Sequence, residues 1–156
     1  MNYYEQRLRD RTYCALMVIG SIIMAALIVL VALCFQANAE TIDLDRIMMI
    51  ESSGNALAHN KKEDARGLFQ IRAVVLKEWN QYHRTKYAMG DLWNPRINRE
   101  VGEWYLLKRI PQMLKHYGKK VTVENVIISF NAGISYVVKN KPLPKTTKKY
   151  LAKYRR

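Results

Sequence analysis

Glu51 is the side chain whose position best suits proton-transfer chemistry. Leu44, Ile47, Met48 and Glu51 follow at spacings of three and four, so they share one face of a helix, and Glu51 falls in its last turn on the buried edge. A carboxyl there, beside apolar side chains, loses hydration and meets the negative end of the helix dipole. Both effects disfavour its charged form and raise its pKa. A carboxylic acid still protonated near neutral pH is what glycosidic cleavage requires, because the leaving oxygen must gain a proton as the bond breaks. The cationic surroundings act in the opposite sense, and screening leaves them the smaller effect. An isolated Glu at a helix end is ordinarily just a polar residue, so its company decides.

Other chemistries find little support. His59, His83 and His116 have no metal-ligand spacing, residues 40–156 contain no cysteine, and no HExxH pattern, Gly-rich phosphate loop or calcium loop occurs. No metal and no other cofactor is expected. Trp79 and Trp104 sit at helical stripe positions and read as core, whereas Trp93 is the better candidate for a sugar-stacking face.

The company of Glu51 is a set of short motifs in order: ESSGN at 51–55, ARGLFQI at 65–71, NREVGEWYL at 98–106, SFNAG at 129–133 and TKKYLAKY at 147–154. In order and spacing they resemble soluble lytic transglycosylase domains, members of the lysozyme-like superfamily that includes goose-type lysozyme. The likeness covers about residues 41–154. It implies that Glu51, the Glu of the ES pair, is the essential catalytic residue. Glu51 would protonate the bond between N-acetylmuramic acid and N-acetylglucosamine in peptidoglycan, then take the proton of the muramic C6 hydroxyl as a 1,6-anhydro ring closes. Such an acid turned base needs no second carboxylate.

The resemblance also implies substrate-binding roles. Ser52 follows the catalytic residue in the family pattern and would help order the site. Gln70, in GLFQ, is similar to the family's cleft-lining glutamine, and Asn131 keeps its motif position and should point into the cleft. Phe69 stands where the family usually has Met, and core packing and sugar contact are equally open for it. Phe130 is the clearest departure, because the family commonly places a Tyr there with its hydroxyl close to the catalytic carboxyl. Tyr150 of the last helix is the candidate to supply that missing hydrogen bond.

The elements that must position these residues read as many short helices, so the fold class is mainly α: a lysozyme-like domain with one small loop or hairpin, preceded by an N-terminal hydrophobic helix. Thr41 is expected to cap the first helix of the domain, with Asp43 and Asp45 in its first turn and Gly54 closing it in the left-handed conformation. Residues 55–66 are polar and suggest a loop or short hairpin. A helix is then expected from about Gly67 to His83, on the stripe Leu68, Ile71, Val75, Trp79 and Tyr82. Asn94-Pro95 marks a helix start, and Pro111 should end or kink that helix. Gly118 stops the next stretch, Thr122 caps a helix that breaks near Asn131-Ala132-Gly133, and a basic helix covers about Thr147 to Tyr154.

Ahead of this domain, residues 15–35 run without a charge. As a helix they would span about 32 Å, enough for a bilayer core of about 30 Å. Arg7, Arg9 and Arg11 precede the run, and Glu40, Asp43 and Asp45 follow it, which places the amino terminus in the cytoplasm. The expected organisation is a cytoplasmic tail at 1–14, a transmembrane anchor or signal peptide at 15–35, and a catalytic domain at 40–156 outside the cytoplasm, in the periplasm or cell envelope. Ala37-Asn38-Ala39 reads as a signal-cleavage site, which competes with the retained anchor. Lipidation of Cys34 ranks last, since Leu33 occupies the place where that signal wants a small residue.

Of the formal charge of +13, residues 1–39 carry +1 and the remainder +12. A field of this sign draws polyanions, and outside the cytoplasm wall polymer is favoured over nucleic acid. The expected partners are peptidoglycan glycan strands, the membrane through the N-terminal helix, and a secretion, conjugation or phage assembly that needs a local opening in the wall. Two alternatives stay open: a hydrolytic muramidase with Asp64 as auxiliary carboxylate, and a non-catalytic cationic wall-binding protein, to which Phe130 lends some weight.

Overall fold

A computed structural model describes residues 16–30 and 41–156. The chain divides into two units, Met1–Glu40 and Thr41–Arg156. Of the first, only a helix over 16–30 (α1) is described, and its large apolar side chains are exposed. Among the described residues no helix is long and apolar enough to cross a membrane. The remainder of the expected 15–35 segment lies outside the described residues, as do the tail at 1–14, Cys14, Cys34 and the Ala37-Asn38-Ala39 site.

The second unit is mainly helical, as expected. It comprises α2 (Leu44–Ser52), strands β1 (His59–Asn60) and β2 (Ala65–Arg66), α3 (Ala73–His83), a 3-10 turn at Met89–Trp93 and α4 (Pro95–Trp104). A π-helical segment (Tyr105–Arg109) follows, then α5 (Ile110–His116), α6 (Val123–Ala132), α7 (Ser135–Val138) and α8 (Lys145–Tyr154). The hairpin candidate is a two-residue antiparallel pair, His59 opposite Arg66 and Asn60 opposite Ala65. Helix α6 is the apolar centre: Val126 and Ile127 are buried in it, and α5, α7, α8 and the π segment pack around it.

Local chemistry explains most boundaries. Asn94 accepts from Arg96 N at 3.0 Å with Pro95 behind it, and Thr122 accepts from Asn125 N at 3.1 Å, so both expected caps form. The cap of α2 is Asp43 rather than Thr41: its Oδ1 accepts from Arg46 N at 2.9 Å. That helix closes on Ser53, which takes the left-handed conformation (φ 55°) one residue before Gly54.

Two expectations need larger correction. Residues 67–71 are not the first turn of a helix. Gly67 and Gln70 both have positive φ, Gln70 N donates back to Gly67 O at 3.1 Å, and Ile71 pairs with Arg66, so α3 starts only at Ala73. Of the two outcomes expected at Pro111, ending does not occur: the chain stays helical through it, with a π turn directly before. A proline ring collides with the carbonyl four residues earlier in an α-helix, and here the wider π turn directly before α5 provides the room.

Candidate active site

Glu51 stands in the last turn of α2, and three ties fix its surroundings. At the start of α2, Asp43 N donates to Tyr154 Oη at 2.8 Å and Arg46 Nη1 donates to Tyr154 O at 2.8 Å. At its end, the Ser52 hydroxyl donates to Leu68 O at 2.9 Å, as well as to Met48 O within the helix at 3.1 Å. Helix α2 is therefore held against α8 at one end and against the 67–70 turn at the other. Ser52 thus serves as a staple and does not line the groove described next.

A groove of about 600 Å³, open solvent included, is lined by Glu51, Asn60, Glu63, Gln70, Arg72, Tyr105, Phe130 and Asn131, among others. Burial raises the Glu51 carboxyl from 4.5 to about 7; the Tyr150 hydroxyl and the Arg72 charge pull it partly back, and the Glu63 charge pushes it up. Tyr150 is itself buried, and its pKa is raised, by burial first and then by the negative charge of Glu51. Its hydroxyl has no partner at close hydrogen-bonding geometry among the described residues. The Tyr150–Glu51 interaction therefore falls short of a well-formed hydrogen bond, as catalytic contacts commonly do before substrate arrives.

The remaining sequence candidates separate by what they touch. Gln70 lines the groove, but its amide donates to Ala58 O at 3.0 Å and Gly67 O at 2.9 Å, so the side chain braces the turn while its carbonyl oxygen has no partner among the described residues. Asn131 lines the groove and accepts from the Thr147 hydroxyl at 2.8 Å, joining the end of α6 to the start of α8. Phe130 is half-buried, with its ring centroid 6.3 Å from that of Tyr105. Phe69 is fully buried: it packs on Gly102, where an added Cβ would lie 2.5 Å from the Phe69 ring. Its role is core.

Asp64 is absent from the groove lining. It accepts from Arg66 Nε at 3.0 Å and pairs with His59 Nε2 at 2.9 Å, and these partners hold its carboxyl below its ordinary pKa. The carboxylate in the groove is its neighbour Glu63, 3.7 Å from Arg72 Nη1. Trp93 is likewise outside the groove, with the Arg66 guanidinium 5.4 Å from its ring centre.

Sequence reasoning missed Asn98, Arg72 and Tyr105. Asn98 is fully buried; its Oδ1 accepts from Phe69 N at 2.8 Å and its Nδ2 donates to Arg66 O at 2.8 Å and Leu92 O at 3.1 Å. This one amide clamps the whole 66–69 turn. It also explains Gly67, where a Cβ would overlap Asn98 Nδ2 and stand 2.6 Å from Leu92 O. The available signal was its place at the head of the NREVGEWYL motif. Tyr105 also lies in that motif, four residues after Val101, where it reads as a core-stripe position, and Arg72 carried no signal, because it stands just outside a helix.

A family model described as Transglycosylase SLT domain matches residues 36–153. No curated protein and no solved structure matches. The match takes in the helix of Glu51, the clamped turn, the π segment and α8 together, and the chain belongs to the transglycosylase SLT domain family, whose enzymes act on peptidoglycan.

Proposed function

We propose that the protein is a lytic transglycosylase that cleaves the bond between N-acetylmuramic acid and N-acetylglucosamine, with Glu51 as both acid and base. The observation that carries this reading is the Glu51 carboxyl in a groove, raised by burial to about 7. A group half-protonated at neutral pH gives and takes a proton with little bias in either direction.

In the first step the Glu51 proton passes to the glycosidic oxygen, the bond from that oxygen to muramic C1 breaks, and the N-acetylglucosamine end leaves as an alcohol. In the second the Glu51 carboxylate removes the C6 hydroxyl proton, and O6 bonds to C1 to close the 1,6-anhydro ring. The original acid is restored and no water is consumed. Between the steps the carboxylate is charged, and the Tyr150 hydroxyl and Arg72 are the groups that favour that form. Tyr150 would thus do from α8 what a Tyr at the Phe130 position would do from α6.

The hydrolytic alternative keeps one supporting observation: Glu63 shares the groove with Glu51, so a second carboxylate is present to direct water. Mass spectrometry of the muropeptides released from purified peptidoglycan separates the two. The transglycosylase yields anhydro ends, each lighter by one water than a hydrolytic end, and reducing ends alone would refute it. Replacing Glu51 by Gln should abolish release.

The proposal places this domain outside the cytoplasm, held by or released from the segment at 15–35. Its support is the uncharged run and the arginines before it. Protease accessibility in intact spheroplasts checks it.

A further inference from the structure

The catalytic groove has a neighbour built on the same helix. Arg72 and Val75 line the groove at the start of α3, and Glu78, Gln81 and Tyr82, further along α3, line a second depression of about 490 Å³, open solvent included. The opposite wall is likewise continuous: Tyr105 in the groove, Trp104 and Arg109 in the depression, all within or beside the π segment. Arg109 Nε donates to Glu78, and this pair lies close enough to the Tyr105 hydroxyl for both charges to act on it. From Val75 to Tyr82 the helix advances roughly 10 Å, a length on the scale of a disaccharide.

The chemistry of the depression suits a sugar. Tyr82 is 59% exposed, and its ring centroid lies 5.4 Å from that of Trp104. Exposed His83 adjoins both rings and stacks on buried Trp79 with centroids 3.7 Å apart, which fixes the cluster to the core. An aromatic face takes the C–H face of a pyranose, and the Gln81 amide and the Glu78–Arg109 pair offer donors and acceptors to its hydroxyls, the mixed lining that small-ligand sites use. A π turn also shifts the side chains that follow it around the helix, and such turns concentrate at functional sites.

We propose that this depression is a further glycan subsite, which grips the same strand about two sugars beyond the Glu51 groove and gives the protein a preference for long chains. The inference rests on the glycan-cleaving reading, and its test is chosen to fail separately. The Glu51→Gln protein is titrated calorimetrically with N-acetylglucosamine trimer and hexamer as probes. The hexamer should bind about tenfold more tightly than the trimer, and adding Tyr82→Ala or Gln81→Ala should remove most of that advantage while leaving trimer binding in place. Tyr82 is exposed enough for the variant to keep its fold, which a thermal melt verifies. Equal hexamer affinity with and without Tyr82, or no hexamer advantage at all, overturns the subsite. Inactivity of the parent protein on peptidoglycan alongside a Tyr82-dependent hexamer advantage would instead overturn the catalytic reading and leave the subsite standing.

Discussion

Tyr150 turns its hydroxyl toward the Glu51 carboxyl from the buried face of α8, while Thr147 and Tyr154 on that same face bind Asn131 and the start of α2. The last helix thereby helps form the surroundings of the Glu51 carboxyl, with its lysines facing away. Spacings of three and four put all three side chains on one stripe, and Lys145, Lys148, Lys149 and Lys153 remain exposed.

Tyr150→Phe removes a group that favours the charged carboxylate. The Glu51 pKa should rise above about 7, moving the alkaline limb of the pH–rate profile upward, and the rate of muropeptide release should fall about tenfold. A rate loss with an unmoved profile would assign Tyr150 to packing alone.

Arg72 and Glu63 act on Glu51 in opposite senses. Arg72→Met should move the alkaline limb up, and Glu63→Gln should move it down. Shifts of one sign in both variants would contradict the geometry.

Stability should carry the same signature. The folded pKa of Glu51 is raised above the unfolded 4.5, so its contribution is fully present below pH 4.5 and is lost as pH rises through about 7. The full displacement corresponds to about 3 kcal/mol. Glu51→Gln, which cannot ionise, should match the parent at pH 4 and exceed it by up to about 3 kcal/mol at pH 8, read by urea unfolding.

Asn98→Ala leaves Phe69 N and Leu92 O without their side-chain partner, Arg66 O keeps only the Ile71 amide, and Gln70 loses the turn it braces. A loss of about 3 kcal/mol is expected, with activity falling as the 67–70 turn loosens. Urea unfolding and peptidoglycan release measured on the same sample check both.

The helical class, the caps at Asn94 and Thr122, the placement of Glu51 in a last turn and the family were legible because each is written in local spacing or in short ordered motifs. The 67–71 turn was not: Leu68, Ile71 and Val75 keep a helical period, and contacts from elsewhere in the chain, the buried Asn98 amide and the Ser52 hydroxyl among them, hold the other conformation. The partner of Tyr150 was legible only as a need, raised by the missing hydroxyl at Phe130. The roles of Arg72 and Tyr105 depend on how a turn and a π segment aim side chains, which no periodic pattern records.

The charge state of one carboxyl tests the account most directly. In protein labelled with carbon-13 at glutamate side chains, the Glu51 carboxyl resonance, assigned by its disappearance in Glu51→Gln, should titrate with a midpoint near 7. A midpoint near 4.5, the value of an ordinary solvated glutamate, would contradict it.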